Sequence, residues 1–329
     1  MHVNRLMVLP MLLALLAALG AASCARSDPA SEVKSSKPAA PRIAMVPKGT
    51  THVFWKAVEA GARVGAQREA LELEWKGPLQ ENDRAGQIQV VQQFIAQRVD
   101  GIALAPLDHR ALLPVVREAR AAGIGVVIFD SALDGGAGTD FASFVATNNR
   151  AAGELAGAEL ARLLGGAGKA VLLRYQVGSA STHEREDGFL TAVRAAGVTV
   201  TVDNRYAGAS AGEAKNEALN LADALGAAGG VFCSNESATN GMLLALRQLG
   251  LAGSIRFVGF DASPPLVEAL ERGEIDALVV QDPRKMGELA VCTLAAHLRG
   301  EAVSASIDTG AVLATRANMG DPAIAPLLR

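Results

Sequence analysis

Several kinds of residue are scarce in this sequence, and each scarcity excludes a class of protein. There are three cysteines among 329 residues, too few for a disulfide-rich scaffold. Lysine and arginine total 31 against 34 acidic residues, and they form no basic block. A nucleic-acid-binding protein needs such a block to face the phosphate backbone. We therefore expect no nucleic-acid partner.

The motifs of common cofactor and metal sites are also missing. No G-x-G-x-x-G follows the first predicted strand, and Lys48-Gly49-Thr50 lacks the upstream glycine of a phosphate-binding loop. The five histidines form no H-x-x-x-H or H-E-x-x-H pair. We expect neither a cofactor nor a metal ion.

The amino-terminal segment has the pattern of an export signal, predicted over 1–23. Arg5 precedes an apolar run of roughly 17 residues, which is short for a membrane-spanning helix. An uncleaved anchor is the alternative.

Ala21-Ala22-Ser23-Cys24 resembles the cleavage box of bacterial lipoproteins, which implies lipidation of Cys24. The rival is cleavage after Ala25, which gives an unlipidated secreted protein. Residues 24–41 are then a lipid anchor and disordered tether. This predicts a location in the periplasm or cell envelope, with membrane contact through the lipid only.

From Arg42 onward, short apolar runs alternate with longer segments of helical period, a pattern typical of parallel α/β sheets. Strands are predicted at 43–46, 71–75, 101–106, 126–130, 141–147, 170–175, 198–203, 230–235, 255–261, 277–281 and 311–315. Helices are predicted at 54–70, 84–97, 110–122, 149–164, 184–196, 212–225, 238–249, 264–272 and 284–299. The chain is long enough for two cores. We predict two similar doubly wound α/β domains with a ligand cleft between them. Cys233 and Cys292 fall on different domains and are expected to be buried free thiols.

Polar side chains follow several predicted strands at their carboxyl ends, where such sheets bind ligands. Phe54 and Trp55 are adjacent aromatics, so at least one of them should face the cleft rather than a core. The predicted ligand-binding residues are His52, Phe54, Trp55, Asp130, Ser131, Arg185, Asn235, Asp261 and Gln281, with Arg185 on the first turn of its helix. Taken singly, the Asp, Asn and Ser residues among them are also typical helix caps. Together they suit the adjacent hydroxyls of a sugar.

Four segments resemble the ribose-binding branch of the periplasmic binding proteins, which shares its fold with the sensor domains of the lac-repressor family. They are the aromatic pair followed by AVEAGA (57–62), EREDGF (184–189), VGFDASP (258–264) and VVQDP (279–283). The resemblance covers about 42–315. It implies a monomer that delivers a monosaccharide to the permease of an ABC transporter and catalyses nothing. It also implies a hinge of three crossovers near Thr147, Asp282 and Ser306. The lobes would then comprise 42–146 plus 283–305, and 147–282 plus 306–329.

The sequence departs from this family at two ligand positions. Ribose-binding members carry Asn where His52 stands and Arg where Ser131 stands. The shorter Ser131 leaves room for a different or larger ligand. The family also draws a further aromatic from the second domain, for which Tyr206 is the candidate here.

Two alternative functions remain open. The same receptor could present its sugar to a sensor kinase or chemoreceptor instead of a permease. In a different class, Gly208-Ala209-Ser210-Ala211-Gly212 matches the G-x-S-x-G element of a secreted hydrolase with Ser210 as nucleophile. A hydrolase also needs a histidine after the nucleophile, and His297 is the one available, in an apolar helix predicted for the other domain. A lac-repressor-type regulator is excluded because the export signal occupies the place of its DNA-binding segment.

Overall fold

The structure, a computed structural model, describes residues 40–329. The predicted signal peptide at 1–23, the lipidation site Cys24 and the tether up to residue 39 lie outside the described residues. Within 40–329, no helix combines the length and the apolar character that crossing a bilayer requires.

Two six-stranded sheets form the centre of the protein, and most of their strands are buried on both faces because helices cover them. The first sheet contains β1 (Arg42–Val46), β2 (Glu72–Trp75), β3 (Gly101–Leu104), β4 (Gly125–Phe129), β5 (Ser143–Ala146) and β11 (Ser306–Asp308). The second contains β6 (Lys169–Arg174), β7 (Thr199–Tyr206), β8 (Gly230–Cys233), β9 (Arg256–Phe260), β10 (Ala277–Gln281) and β12 (Ala311–Thr315).

The two sheets have corresponding strand orders, which are β11-β5-β4-β3-β1-β2 and β12-β10-β9-β8-β6-β7. All neighbouring strands are parallel except β10 and β12, which are antiparallel. The prediction of two similar parallel α/β domains is therefore confirmed. We call each sheet with the helices that cover it a lobe.

Each lobe has helices on both faces of its sheet. The first lobe contains α1 (Val53–Arg68), α2 (Arg84–Ala96), α3 (Leu113–Ala121) and α10 (Pro283–Leu298). The second contains α4 (Asn149–Leu163), α5 (Ala180–Ala195), α6 (Ala211–Leu219), α7 (Ala222–Gly226), α8 (Glu236–Leu249) and α9 (Pro264–Arg272). A 3₁₀ turn at Ala325–Leu328 ends the chain by packing on the second lobe.

The chain crosses between the lobes three times, after β5, after β10 and between β11 and β12. The first two crossings agree with the expected hinge positions Thr147 and Asp282. The third follows Asp308 rather than Ser306, because 306–308 pair with β5 of the first sheet. The Thr147 hydroxyl donates to Gln281 Oε1 at 2.9 Å, which joins the first two crossings.

Other local predictions also need correction. Helix α5 begins at Ala180 instead of 184, so Arg185 lies in the second turn. The helix predicted over 212–225 is two helices, since the chain turns at 220–221 and brings Leu225 into the core. Both described cysteines are free, but only Cys233 is buried. Cys292 is half-buried beside Arg68.

Paired glycines bring helices unusually close in each lobe. A Cβ atom at Gly61 of α1 would lie 1.9 Å from the carbonyl oxygen of Arg284 in α10, and Gly287 of α10 is equally crowded by α1. Gly153 of α4 and Gly188 of α5 make the same kind of crossing in the second lobe. This close contact fixes the part of α5 that carries the predicted site arginine.

Candidate functional site

A small cavity of about 30 Å³ lies where the carboxyl ends of the two sheets face each other. Side chains from both lobes line it. They are Lys48, His52, Phe54, Trp55, Glu81, Asp130, Tyr175, Ser181, Thr182, Arg185, Asn235, Glu236, Asp261 and Gln281. Most are polar or charged, and several are almost completely buried.

Two aspartates occupy equivalent places in the two lobes. Asp130 directly follows β4 and Asp261 directly follows β9, and both have a left-handed backbone, with φ of 60° and 69°. This conformation is uncommon for a residue other than glycine, and such residues cluster at functional sites. The same local geometry therefore directs one carboxylate from each lobe to the cavity.

Asp130 is paired with a buried lysine. The Lys48 ammonium lies 2.9 Å from Asp130 Oδ2, and the two side chains form a buried ion pair. Lys48 Nζ also donates to Ser181 Oγ of the other lobe at 2.9 Å. An ionised carboxylate can accept several hydrogen bonds, so Asp130 can accept from a ligand hydroxyl while it stays paired with Lys48.

Glu81 is the centre of a second polar cluster. Its carboxylate lies 2.6 Å from His52 Nδ1 and accepts hydrogen bonds from Trp55 Nε1 at 2.7 Å and from the Tyr175 hydroxyl at 2.9 Å. Burial by itself lowers the pKa of His52, but the hydrogen bond and charge of Glu81 outweigh it and raise this pKa to about 9. Burial raises the pKa of Glu81, yet His52 overrides it and lowers that pKa to about 2. The pair is therefore ionic at neutral pH.

Arg185 is held by the second lobe and by Phe260, whose ring centroid lies 3.9 Å from the guanidinium carbon. It donates to Asn149 Oδ1 at 2.8 Å, to the Ser234 carbonyl at 3.0 Å and to Gln281 Oε1 at 3.0 Å. Burial lowers the pKa of Arg185. Burial also raises the pKa of Asp261 to about 6, against the opposing charge of Arg185.

The aromatic pair divides between core and cavity. Phe54 and Trp55 meet edge to face with ring centroids 4.9 Å apart, and Trp55 makes a second edge contact with Phe129 in the core. Trp55 is 2% exposed, whereas Phe54 is half-buried. Both residues line the cavity, so the expectation that at least one faces the cleft agrees with the structure.

The structure brings together all of the predicted ligand residues except one. Ser131 does not line the cavity, and its hydroxyl instead accepts a hydrogen bond from Ser181 N of the other lobe at 3.0 Å. Tyr206 is 44% exposed and lies outside the cavity. The second lobe contributes Tyr175 to the cavity, because Tyr175 directly follows the buried strand β6, whereas Tyr206 ends a partly exposed edge strand.

Sequence reasoning missed several lining residues, namely Lys48, Glu81, Tyr175, Ser181, Thr182 and Glu236. Three of them, Lys48, Tyr175 and Glu236, end or closely follow predicted strands, so the same rule that indicates Asp130 also applies to them. Nothing in the local pattern marks Glu81, which reaches the cavity from the loop between β2 and α2.

The alternative nucleophile has an ordinary structural role. Ser210 is the N-cap of α6, where its hydroxyl accepts from Glu213 N at 3.2 Å and the Glu213 carboxylate accepts from Ser210 N at 3.0 Å. His297 belongs to α10 of the first lobe and is no hydrogen-bond partner of Ser210. Across 40–329, no three His, Cys, Asp or Glu side chains are grouped to hold a metal ion.

Mixed donors and acceptors around one cavity suit hydroxyl groups, which both donate and accept. The family description "Periplasmic binding protein domain" matches residues 43–302. The D-ribose/D-allose-binding protein of Pseudomonas aeruginosa is 31% identical over 300 residues, covering 87% of this chain and 91% of that protein.

Two solved structures share the fold over their whole length. An ABC transporter solute-binding protein from Agrobacterium vitis with bound D-fucose has a TM-score of 0.84 and 34% identity, covering 88% of this chain and 100% of that chain. A carbohydrate transporter solute-binding protein from Agrobacterium radiobacter in complex with D-arabinose has a TM-score of 0.84 and 32% identity, covering 89% and 100%. The predicted resemblance is confirmed: this chain belongs to the periplasmic binding proteins.

Proposed function

We propose that this protein captures a monosaccharide, or a similar small polyhydroxylated molecule, between its two lobes and delivers it to an ABC-type importer. The observation that carries the proposal is a single cavity to which each lobe contributes one aspartate in the same strained conformation. A ligand that contacts both lobes favours the closed arrangement, because those contacts exist only when the lobes meet.

The lining supports a neutral, hydroxyl-rich ligand. Three cations, Lys48, Arg185 and protonated His52, face four carboxylates in the cavity, so the excess of negative charge is small. We assign ligand contact to His52, Phe54, Trp55, Asp130, Arg185, Asn235, Asp261 and Gln281, and we add Lys48. Ser131 is assigned to the interface between the lobes instead.

A thermal-shift and calorimetry screen tests the ligand class. The full chain with Cys24→Ser is mixed with D-ribose, D-allose, D-arabinose, D-fucose, polyols and nucleosides. At a hundredfold excess over Kd, a ligand should add about 2.7 kcal/mol to the free energy of unfolding. Asp130→Asn should weaken binding at least about tenfold, while the exposed control Asp223→Asn should not. Absence of a shift with every sugar contradicts the proposed ligand class.

We propose no catalytic step. The Ser181 hydroxyl is close to Lys48, but the ammonium of Lys48 already faces Asp130 and serves as a donor rather than a base. The capping role of Ser210 supports the same view. Ser210→Ala should leave sugar affinity unchanged, and incubation with the bound sugar should return that sugar intact by mass spectrometry.

We also propose that the protein is an exported lipoprotein that works as a monomer, since one chain supplies both lobes. Cys24→Ser should move it from the membrane to the soluble fraction, and light scattering should give the mass of one chain. Uptake of labelled sugar by a strain that lacks this protein distinguishes delivery to an importer from sensing. Loss of uptake supports delivery, whereas normal uptake with a lost transcriptional or chemotactic response supports the sensing alternative.

A further inference from the structure

The first helix of the protein receives its cap from the opposite lobe. The N-cap of α1 is His52, whose side chain makes no capping hydrogen bond. The first free amides of the helix donate to Glu236 instead, Val53 N to Oε1 at 3.3 Å and Phe54 N to Oε2 at 3.0 Å. Glu236 begins α8 of the second lobe. These amides need an acceptor, and the helix dipole favours a negative one.

Glu236 is also connected to the ligand cavity and the hinge. Its backbone amide donates to Asp261 Oδ2 at 3.0 Å, and Asp261 Oδ1 accepts from Gln281 Nε2 at 2.7 Å. Gln281 in turn accepts from Thr147 at the first crossing. A continuous chain of hydrogen bonds thus links the amino end of α1 to the point where the lobes turn.

Other hydrogen bonds also join the two lobes. Tyr175 donates to Glu81, Lys48 donates to the hydroxyls of Ser179 and Ser181, and the Ser181 amide donates to Ser131. Glu236 accepts two backbone donors at a helix terminus with one carboxylate. Hydrogen bonds that involve an ionised group are roughly twice as strong as neutral ones.

We infer that Glu236 is a latch that favours the closed arrangement of the lobes before any sugar binds. The inference rests on the proposed function, in that the lobes open and close. Opening removes the carboxylate from α1 and leaves both amides to water. Sugar affinity scales with the closed fraction, so the latch strengthens binding of every ligand by a similar factor. A direct ligand contact would instead distinguish one sugar from another.

Single-molecule FRET without ligand tests the latch directly. Dyes are placed at Glu118→Cys and Gln248→Cys, both exposed and in different lobes, in a Cys24→Ser, Cys292→Ser background. Glu236→Ala should lower the ratio of closed to open molecules about fivefold, the effect of losing a typical helix cap. Hydrogen exchange at the first turn of α1 should accelerate by a similar factor.

A second variant removes one of the α1 amides that donate to Glu236, which tests the same contact from the other lobe. Val53 is the first helical residue, where proline is tolerated, and the extended backbone of His52 suits a following proline. Val53→Pro removes the longer of the two hydrogen bonds and should shift the ratio less than Glu236→Ala does. In the Glu236→Ala background, Val53→Pro should have no further effect.

The outcomes separate the inference from the proposed function. If sugar closes the lobes but Glu236→Ala matches the parent protein without sugar, the latch is wrong. The same holds if Glu236→Ala weakens one sugar strongly and leaves the others unchanged. If no sugar changes the FRET distribution of the parent protein, hinge closure itself fails.

Discussion

The ion pair between His52 and Glu81 should give the protein a distinctive dependence of stability on pH, which Glu81→Gln should remove. The carboxylate of Glu81 holds His52, Trp55 and Tyr175 at once. A neutral glutamine could still accept from Trp55 and donate to the Tyr175 hydroxyl, but it has no charge with which to hold the imidazolium.

The size and sign of the effect follow from the two pKa values. Glu81 raises the pKa of His52 from 6.5 to about 9, which corresponds to about 3 kcal/mol, counted once for the pair. A raised histidine pKa stabilises the folded protein fully below pH 6.5, and this stabilisation is lost as the pH rises through 9. The lowered pKa of Glu81 means that its contribution is present above pH 4.5 and is lost as the pH falls through about 2. The pair therefore stabilises most between pH 4.5 and 6.5.

Urea unfolding and proton NMR provide the assay. Free energies of unfolding are measured from about pH 6 to about pH 10 for the parent protein, for Glu81→Gln and for the exposed control Glu74→Gln. The difference between the parent and Glu81→Gln should shrink by about 3 kcal/mol across this range, while Glu74→Gln should run parallel to the parent. In the NMR titration, the His52 resonance should move near pH 9 in the parent and at least one unit lower in Glu81→Gln. Parallel stability curves for the parent and Glu81→Gln would refute the reasoning.

Three further predictions concern other parts of the structure. Arg185→Ala should weaken sugar binding and also lower the free energy of unfolding by about 3 kcal/mol, because three buried acceptors lose their donor. As a control, Arg63→Ala breaks an exposed ion pair and should change the free energy of unfolding, measured in urea, very little. Gly61→Ala should lower the melting temperature through its clash with α10, costing about 1–3 kcal/mol. The control Gly226→Ala should leave the melting temperature unchanged, because its added Cβ meets no atom within 4 Å. Because burial raises the pKa of Asp261 to about 6, calorimetry should show sugar affinity falling as the pH drops through that value. In Asp261→Asn this pH dependence should be absent.

The fold could be predicted because its pattern is local. Buried parallel strands such as β4 are continuous apolar runs, and each is followed by a segment of helical period. Strand β11 could not be predicted in this way, since it has three residues and two of them are exposed. It is a strand only because it pairs with β5, and that pairing moves the third crossing from Ser306 to beyond Asp308.

The candidate site could be predicted only in part, for a related reason. Asp130, Asn235 and Asp261 were identified because the carboxyl ends of parallel strands meet at one edge of a sheet. Their proximity to one another follows from topology and needs no knowledge of side-chain packing. Ser131 does not line the cavity, because its side chain faces Ser181 of the other lobe, and strand order alone does not show this direction.

The sequence by itself determined the class of fold, the two-lobed plan and most of the residues around the cavity, because strand and helix periodicity and the polar strand ends are properties of short segments. Tertiary structure alone decided which groups are paired. The ion pair of Glu81 with His52, the contact of Lys48 with Asp130 and the capping of α1 by Glu236 each join residues that only the folded chain brings together. Burial of such partners also sets their pKa values, since desolvation depends on what surrounds a group in space rather than along the chain.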